Sequence, residues 1–268
     1  MKKKTKRTLA LILALLALAA LTACGSSGSG KLICGVTPYE PMNYKDNNGK
    51  WIGFDTEFAQ KVGDKLGMGV EFQEIEWSSK FAELESGAIS CIWNGFTANV
   101  SEDDGTPRSQ LADMSYSYML NQQCVVVKAE RKAEFTSLQS ISDKKVAAEA
   151  GSAGATVAAD AVGDGGEFLG VTAQINTLLE VKSGAVDCAV IDILLAQKSV
   201  GSGEYSDLTI ADITLESEVY AVGFKKGSDL TAKVNQAMKE LYDDGTLALL
   251  AEKYGLENSL LLDTTFGS

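Results

Sequence analysis

The stretch SGAISCIW, which begins at Ser86, recurs almost letter for letter as SGAVDCAV, which begins at Ser183. In both copies a helical pattern ends at Ser-Gly, and an apolar run typical of a short buried strand follows. Two equivalent helix–turn–strand units predict two similar lobes, although such joints are common enough for a chance recurrence. The copies then diverge, because the first runs into Asn94-Gly95-Phe96-Thr97 and the second into Ile191-Asp192.

Strand-like and helix-like segments alternate around both copies. KLICGV (Lys31 to Val36) is typical of a strand, and GFDTEFAQKVGDKLG of an amphipathic helix with Asp55 as N-cap and Gly67 at its end. VEFQEIEW and SSKFAELESG continue the alternation, which restarts at QQCVVVK (Gln122 to Lys128). The pattern predicts an α/β fold of two lobes, each an open, doubly wound sheet with a ligand cleft between them.

The N-terminus has the composition of an export signal. A basic segment, Lys2 to Arg7, precedes the uncharged apolar run Leu9 to Leu21, which is short for a permanent transmembrane helix. The letters LTAC, ending at Cys24, resemble a lipobox and predict lipidation of that thiol; an ordinary signal with a Cys at its site is the alternative. We therefore expect a signal peptide over 1–23, a lipidated Cys24 with a flexible tether over 24–30, and an extracytoplasmic, membrane-anchored protein.

Composition argues against several function classes. The chain carries 24 Lys+Arg against 36 Asp+Glu, and removing the basic leader makes the exported part more acidic still, which disfavours nucleic acid as a partner. There is no histidine and no CxxC pair, so we expect no metal, no cofactor and no Ser-His or Cys-His nucleophile. Four cysteines follow the lipobox in apolar runs, where free buried thiols are favoured over disulfides: Cys34, Cys91, Cys124 and Cys188.

The two endings of the repeat present opposite charges to a shared cleft. In open α/β sheets, ligands bind beyond the carboxyl ends of the strands. After the first copy, Gly95 and Thr97 offer backbone N–H groups and a hydroxyl to an anion, and Arg108 could clamp a carboxylate with two parallel hydrogen bonds. After the second copy, Asp192 could accept an ammonium group. A ligand that satisfies both is a free α-amino acid.

Each candidate has a structural alternative. Arg108 could be a solvated residue of the loop SEDDGTPRSQ, paired with Asp103 or Asp104, and Asp192 could cap the helix that follows it. Three aromatic residues at strand ends could wall a pocket or pack at a lobe edge: Tyr39, Trp77 and Trp93. A helix start in EAGSAGAT offers free N–H groups to an anion at Gly151, Ser152 and Ala153.

Taken as a set, the motifs resemble the bacterial extracellular solute-binding proteins of family 3, which bind polar amino acids and feed ABC importers. The resemblance spans about Lys31 to Tyr254 and includes YEPMNY, WSSKFAELESGAISCIWNGFT, Arg108, DMSYSYM, GAVDCAVID and DGTLALLAEKYG. It implies a type II periplasmic-binding-protein-like fold whose lobes close around the ligand. It also implies a monomer without enzymatic activity that docks on a membrane permease.

The resemblance further implies roles for individual residues. Tyr39 would stack on the ligand side chain, with Trp77 as a second pocket residue. The ligand carboxylate would be held by Gly95, Thr97, Arg108 and the helix start at 151–153, and the ammonium group by Asp192. The chain departs from the family because ANVSEDDGTP separates Thr97 from Arg108, an insertion of several residues.

We expect lobe 1 over 31–118 plus 219–268, lobe 2 over 124–214, and hinge crossings near 119–123 and 215–218.

Two other function classes remain open on the same fold. One is an enzyme similar to cyclohexadienyl dehydratase, for which Glu149 is the only nearby candidate acid. The other is a ligand-sensing module. The pattern identifies no side-chain specificity.

Overall fold

Two mixed β-sheets organise the part of the chain that the computed structural model describes, residues 30–266. The expected signal peptide, Cys24 and all of the tether before Gly30 lie outside the described residues. Within 30–266, every helix is too short or too polar to cross a membrane.

The first sheet has the strand order β4-β1-β5-β13-β6. Its strands are β1 (Lys31–Val36), β4 (Gly69–Glu74), β5 (Cys91–Ile92), β6 (Asp113–Met114) and β13 (Gly223–Phe224); β2 (Tyr44–Lys45) and β3 (Trp51–Ile52) form a separate hairpin. Strands β4 and β5 lie parallel to β1, as expected when helices connect successive strands, whereas β13 is antiparallel to β5 and β6. The sheet is therefore mixed rather than wholly parallel.

The second sheet has the order β11-β7-β10-β8-β9, with β12 and β14 also paired to β7. Its strands are β7 (Ser117–Lys128), β8 (Lys145–Glu149), β9 (Glu167–Val171), β10 (Cys188–Asp192), β11 (Leu208–Ile210), β12 (Ser217–Tyr220) and β14 (Leu260–Asp263). Strand β7 is long enough to pair with β10 and β11 at one end and with β12 and β14 at the other. The expected crossings near 119–123 and 215–218 fall on the paired strands β7 and β12, and the lobe boundaries stay a prediction.

The helices connect and cover these strands. They are α1 (Phe54–Leu66), α2 (Lys80–Ser86), α3 (Arg108–Leu111), α4 (Ala153–Ala161), α5 (Gln174–Ser183), α6 (Ile193–Ser199), α7 (Leu230–Asp243) and α8 (Thr246–Tyr254). Short 3₁₀ turns span Trp77–Ser79, Ala129–Glu134, Leu138–Ile141 and Gly203–Tyr205. Helices α4 and α5 pack on β8 and β10, so the carboxyl ends of those strands adjoin the helix starts.

Helix α1 ends as predicted but begins differently. Gly67 adopts the left-handed conformation and terminates the helix, whereas the N-cap is Gly53 and Asp55 lies in the first turn. The carbonyls of Pro41 and Met42 accept the first backbone N–H groups, at 2.8 and 3.0 Å, so no side-chain cap is required. The prediction of Asp55 as N-cap is wrong, because its buried carboxylate accepts the backbone N–H of Gly95 instead of one at the helix start.

The two copies of the repeated sequence motif have the same local structure. Gly87 and Gly184 both end a helix in the left-handed conformation, with φ of 79° and 81°. The hydroxyls of Ser86 and Ser183 each donate to the carbonyl three residues earlier at 3.0 Å. Each unit then enters a strand that lies parallel to a neighbour, β5 beside β1 and β10 beside β8. This recurrence of geometry supports a structural duplication over chance.

The four cysteines of the described residues are free and buried. Cys34 and Cys91 face each other in the register of β1 and β5, and their sulfur atoms are 3.6 Å apart. Cys124 and Cys188 lie on the neighbouring strands β7 and β10. All four act as small core side chains in this structure.

Candidate functional site

A narrow cavity of about 10 Å³, with room for about one water molecule, lies where strand ends from both sheets converge. Its walls come from the segment after β5, from Arg108 at the start of α3, from the end of β8 with the start of α4, and from α5 and the end of β10. The lining residues are Trp77, Asn94, Gly95, Thr97, Arg108, Glu149, Ser152, Ala153, Gln174 and Asp192. Polar groups from sequence positions far apart therefore meet in one small space, as is typical of a ligand site.

The inserted loop returns Arg108 to this cavity. The backbone N–H of Arg108 donates to Val100 at 3.0 Å, and the loop folds back on itself where Ser101 pairs with Pro107. The guanidinium group is 1% exposed and lies 5.1 Å from the ring centre of Phe96. Arg108 is thus a buried cavity residue rather than a solvated loop residue.

Three groups already accept hydrogen bonds from the Arg108 guanidinium. Its Nη1 donates to the carbonyl of Thr97 at 2.8 Å, its Nε to Glu102 at 2.6 Å, and its Nη2 to the carbonyl of Gly151 at 3.2 Å. A guanidinium carries five N–H donors, so donors remain for a bound anion. The loop acid that pairs with Arg108 is Glu102 rather than an aspartate.

Sequence reasoning missed Lys80, which completes the positive side of the cavity. Its ammonium group donates to Glu102 at 3.0 Å and to the Gly151 carbonyl at 2.9 Å, and the side chain is fully buried. Burial, followed by the charge of Arg108, lowers the pKa of Lys80 to about 8. A lysine at the start of a helix is ordinarily solvated, so the sequence carried no signal of this role.

Of the three residues predicted at the start of α4, not every one has a backbone donor to offer, and their role in binding stays a prediction. Ser152 is the N-cap, and its hydroxyl accepts from Ala155 N–H at 3.0 Å. Helix geometry leaves the N–H groups of Ala153 and Gly154 without partners inside the helix. Gly151 participates through its carbonyl, which accepts from two cations. Its φ of 74° is one that glycine adopts without strain.

Two donors were predicted in the segment after β5, and of these the N–H of Gly95 is already bound within the protein. The N–H of Gly95 donates to the carboxylate of Asp55 at 2.6 Å, so the expectation that it holds a ligand carboxylate is not met. Thr97 pairs with Tyr220 in an isolated bridge, whose hydrogen bonds run through the residues on either side of it. Because the N–H and carbonyl of a strand residue point the same way, the Thr97 N–H lies on the side where its carbonyl meets Arg108.

Asp192 occupies the N-cap position of α6, but its side chain makes no capping hydrogen bond. The buried carboxylate of Asp192 accepts from the amide of Gln123 at 2.7 Å and from the amides of Asn121 and Gln174. Gln174 also accepts the Asp192 N–H at 2.9 Å, which holds the residue from both sides. Burial raises the pKa of Asp192. The carboxylate lines the cavity and is held there by three side-chain amides.

A second acid, Glu218 on β12, lies behind Asp192 and was not predicted. Its carboxylate accepts from the Thr97 hydroxyl at 3.1 Å and from the amides of Asn121 and Gln123 at 2.9 and 3.0 Å. Burial, followed by the charge of Asp192, raises the pKa of Glu218 to about 7. The two amides thus bridge two carboxylates that oppose each other's ionisation.

The three predicted aromatic residues have different surroundings. Trp77 lines the cavity and packs edge-on against Phe96 with ring centres 6.1 Å apart. Tyr39 is buried behind Gly95, and its hydroxyl lies 2.6 Å from that of Tyr220. Trp93 lies in the core, edge-on to Phe58 at 5.2 Å, so the prediction that it walls the pocket is corrected. The sequence places Trp93 at a strand end but does not show which face of the sheet its side chain occupies.

The model of the bacterial extracellular solute-binding proteins, family 3, matches residues 32–257. The chain belongs to this family. Among its relatives, the arginine-binding extracellular protein ArtP of Bacillus subtilis (strain 168) is 31% identical over 259 residues, which cover 93% of this chain and 98% of ArtP.

Solved structures confirm the fold class of this family 3 protein. An ancestral arginine-binding protein bound to arginine matches with a TM-score of 0.74 at 31% identity, covering 84% of this chain and 98% of that one. The ancestral amino acid-binding protein AncCDT-1, a precursor of cyclohexadienyl dehydratase, matches with a TM-score of 0.74 at 26% identity and covers 84% of this chain and 95% of its own. The predicted two-lobed, type II α/β architecture is therefore established.

The buried acids predict an unusual dependence of stability on pH. Burial raises the pKa of Asp55 to about 7, of Glu149 to about 8 and of Glu218 to about 7, above 3.8 for Asp and 4.5 for Glu. Between the ordinary and the raised values the folded state binds more protons than the unfolded state. The free energy of unfolding of the ligand-free protein should therefore fall as pH rises from about 5 to about 8.

Urea unfolding at about pH 5.5, 6.5 and 7.5 measures this slope, since the chain has no histidine and Lys80, with a pKa of about 8, titrates mainly above this range. The variant Glu218→Gln should show a shallower slope, because it removes one of the groups that bind the extra protons. This variant keeps Asp192, whose charge acts on Glu218, and Lys80, whose charge acts on Glu149. A stability that is flat or rises across this range would contradict the assignment.

Proposed function

We propose that this protein binds a free α-amino acid between its two lobes, outside the cytoplasmic membrane, and delivers it to an ABC-type importer. The observation that carries the proposal is the position of Arg108 and Asp192. Both are buried and both line one cavity, which Arg108 reaches from the start of α3 and Asp192 from the end of β10. A small solute that satisfies both must carry an anionic and a cationic group close together, as an α-amino acid does.

The ligand carboxylate is held by the remaining N–H donors of Arg108, the N–H of Thr97 and the first-turn N–H groups of α4. The ligand ammonium group is held by Asp192, with Glu218 adding negative charge behind it. Contacts across the cleft support closure as the binding step. One such contact is the Gly151 carbonyl, which accepts from two cations. Another is the Thr156 hydroxyl on α4, which donates to Asp103 in the inserted loop at 2.9 Å.

The closed form then docks on a membrane permease, and the protein acts as a monomer. The name of ArtP makes L-arginine the first ligand to test. Cys24 anchors the protein to the membrane through a lipid, which keeps it beside the importer.

Binding is tested by thermal shift with a panel of amino acids on the purified exported chain. At one hundred times its dissociation constant, a true ligand stabilises the fold by about 2.7 kcal/mol. Asp192→Asn keeps the size of the side chain and removes its charge, so affinity should fall at least roughly tenfold, since bonds to charged groups contribute about 1.5–3 kcal/mol. The control Asp212→Asn, at an exposed acid paired with Lys132, should bind as the parent does. Equal affinity in the parent and Asp192→Asn would refute the proposed ammonium site.

Lipid anchoring is tested in cells that express the full chain. Cys24→Ala should abolish incorporation of labelled fatty acid and move the protein from the membrane to the soluble fraction. Cys34→Ala, which alters a buried core thiol, should remain labelled. Persistent labelling of Cys24→Ala would overturn the anchor assignment.

A second candidate function rests on Glu149, which is buried at the cavity with its pKa raised to about 8 and could donate a proton in an elimination. We expect no turnover of prephenate or arogenate. Prephenate carries two carboxylates, and a second negative charge would meet Asp192 and Glu218 instead of a cation. Absorbance assays for phenylpyruvate with the purified protein decide the matter, and turnover that is lost in Glu149→Gln would favour the enzyme.

A further inference from the structure

Glu149 is a cavity residue with one buried carboxylate oxygen that lacks a hydrogen-bond partner in the described part of the chain. It ends β8, it is 2% exposed, and its Oε1 has no hydrogen-bond partner among the described residues. An unpaired buried carboxylate oxygen is costly, so it calls for a donor that enters with the ligand.

The other polar side chains at this end of the cavity are already engaged. The amide of Asn94 donates to the carbonyl of Thr37 at 3.0 Å and to Asn43 at 2.7 Å, while its oxygen accepts from Thr37. Both ends of the Gln174 amide are bound to Asp192. Lys80, whose positive charge acts on Glu149, donates to Glu102 and Gly151. A hydrogen bond from Thr37 lowers the pKa of Glu149, and Oε1 of Glu149 is the acceptor that the described side chains leave open.

The balance of charge decides which kind of donor fits. In the proposed complex the ligand carboxylate is compensated by Arg108 and the ligand ammonium by Asp192, while Lys80 is paired with Glu102. An ionised Glu149 then lacks a counter-charge, and burial and the nearby Asp192 hold its pKa at about 8 because of this deficit of positive charge. A neutral ligand side chain leaves this deficit in place, whereas a guanidinium or ammonium head group removes it and supplies charged N–H donors.

A neighbouring groove has the same electrostatic character. A groove beside the cavity is lined by Thr37 and Ala173, which adjoin the cavity residues, and by three acids: Glu74, Glu76 and Glu83. Lys45 pairs with Glu74, and the charge of Glu76 acts on Glu149 inside the cavity. An acidic approach raises the local concentration of cations and disfavours anions.

We propose that Glu149 selects α-amino acids with a cationic side chain by accepting their terminal guanidinium or ammonium group inside the closed cavity. This inference rests on the proposed function and adds the class of ligand to it. Trp77, on the cavity wall, covers the apolar stem of such a side chain.

The test compares L-arginine with L-citrulline, which has nearly the same shape and an uncharged head group. Isothermal titration calorimetry on the purified exported chain at about pH 7.5 should give an arginine affinity at least roughly tenfold above that for citrulline. In Glu149→Gln this ratio should fall close to one, mainly through weaker arginine binding. The control Glu85→Gln, at an exposed acid paired with Lys225, should keep the parent ratio. L-Lysine and L-ornithine report whether an ammonium head group serves as well as a guanidinium.

Equal binding of arginine and citrulline by the parent, or an unchanged ratio in Glu149→Gln, would overturn the selection by Glu149. Tight binding of a neutral amino acid that is lost in Asp192→Asn would refute this inference and leave the proposed function intact. Failure of every amino acid in the panel to bind would refute both.

Discussion

The cleft is held together by two buried cations that share one acid and one carbonyl. Lys80 and Arg108 both donate to Glu102 on their own side of the cleft and to the Gly151 carbonyl on the other side. Two like charges this close are unfavourable when desolvated, so Glu102 is what allows both to remain buried. The insertion between Thr97 and Arg108 supplies that acid. The insertion is therefore part of the cleft closure, and Arg108 depends on it for orientation.

The negative side of the cleft is built on the strands that connect the two sheets. Asn121 and Gln123 lie on β7, Glu218 lies on β12, and the two strands pair side by side. Their amides hold Asp192 and Glu218 together. Any rotation of one lobe against the other that bends these strands also moves the amides that orient the acids. The orientation of the two acids and the geometry of the two strands are in this way coupled through the same few hydrogen bonds.

The sequence predicted those features that depend on local pattern. The repeat correctly indicated where Gly87 and Gly184 end helices, and the strand-end rule brought Asp192 and Arg108 to one cavity. It could not predict pairings made across long stretches of chain, such as Glu218 with Thr97 or Lys80 with Gly151. Asp55 was misassigned for the same reason, since the local pattern of a helix start does not reveal that Gly95 would bind its carboxylate.

This binding protein retains several buried acids, and each has an electrostatic cost. Each acid whose pKa is raised by burial destabilises the ligand-free fold near neutral pH, where its ionisation is resisted. A cationic group in the ligand reverses that resistance, because it favours the ionised form of the acids that it contacts. In the proposed complex, part of the electrostatic cost of Asp192 and Glu149 is therefore relieved when the ligand is bound. Under that proposal the site discriminates by charge, since a solute without the required charges closes the cleft around carboxylates whose ionisation is still resisted.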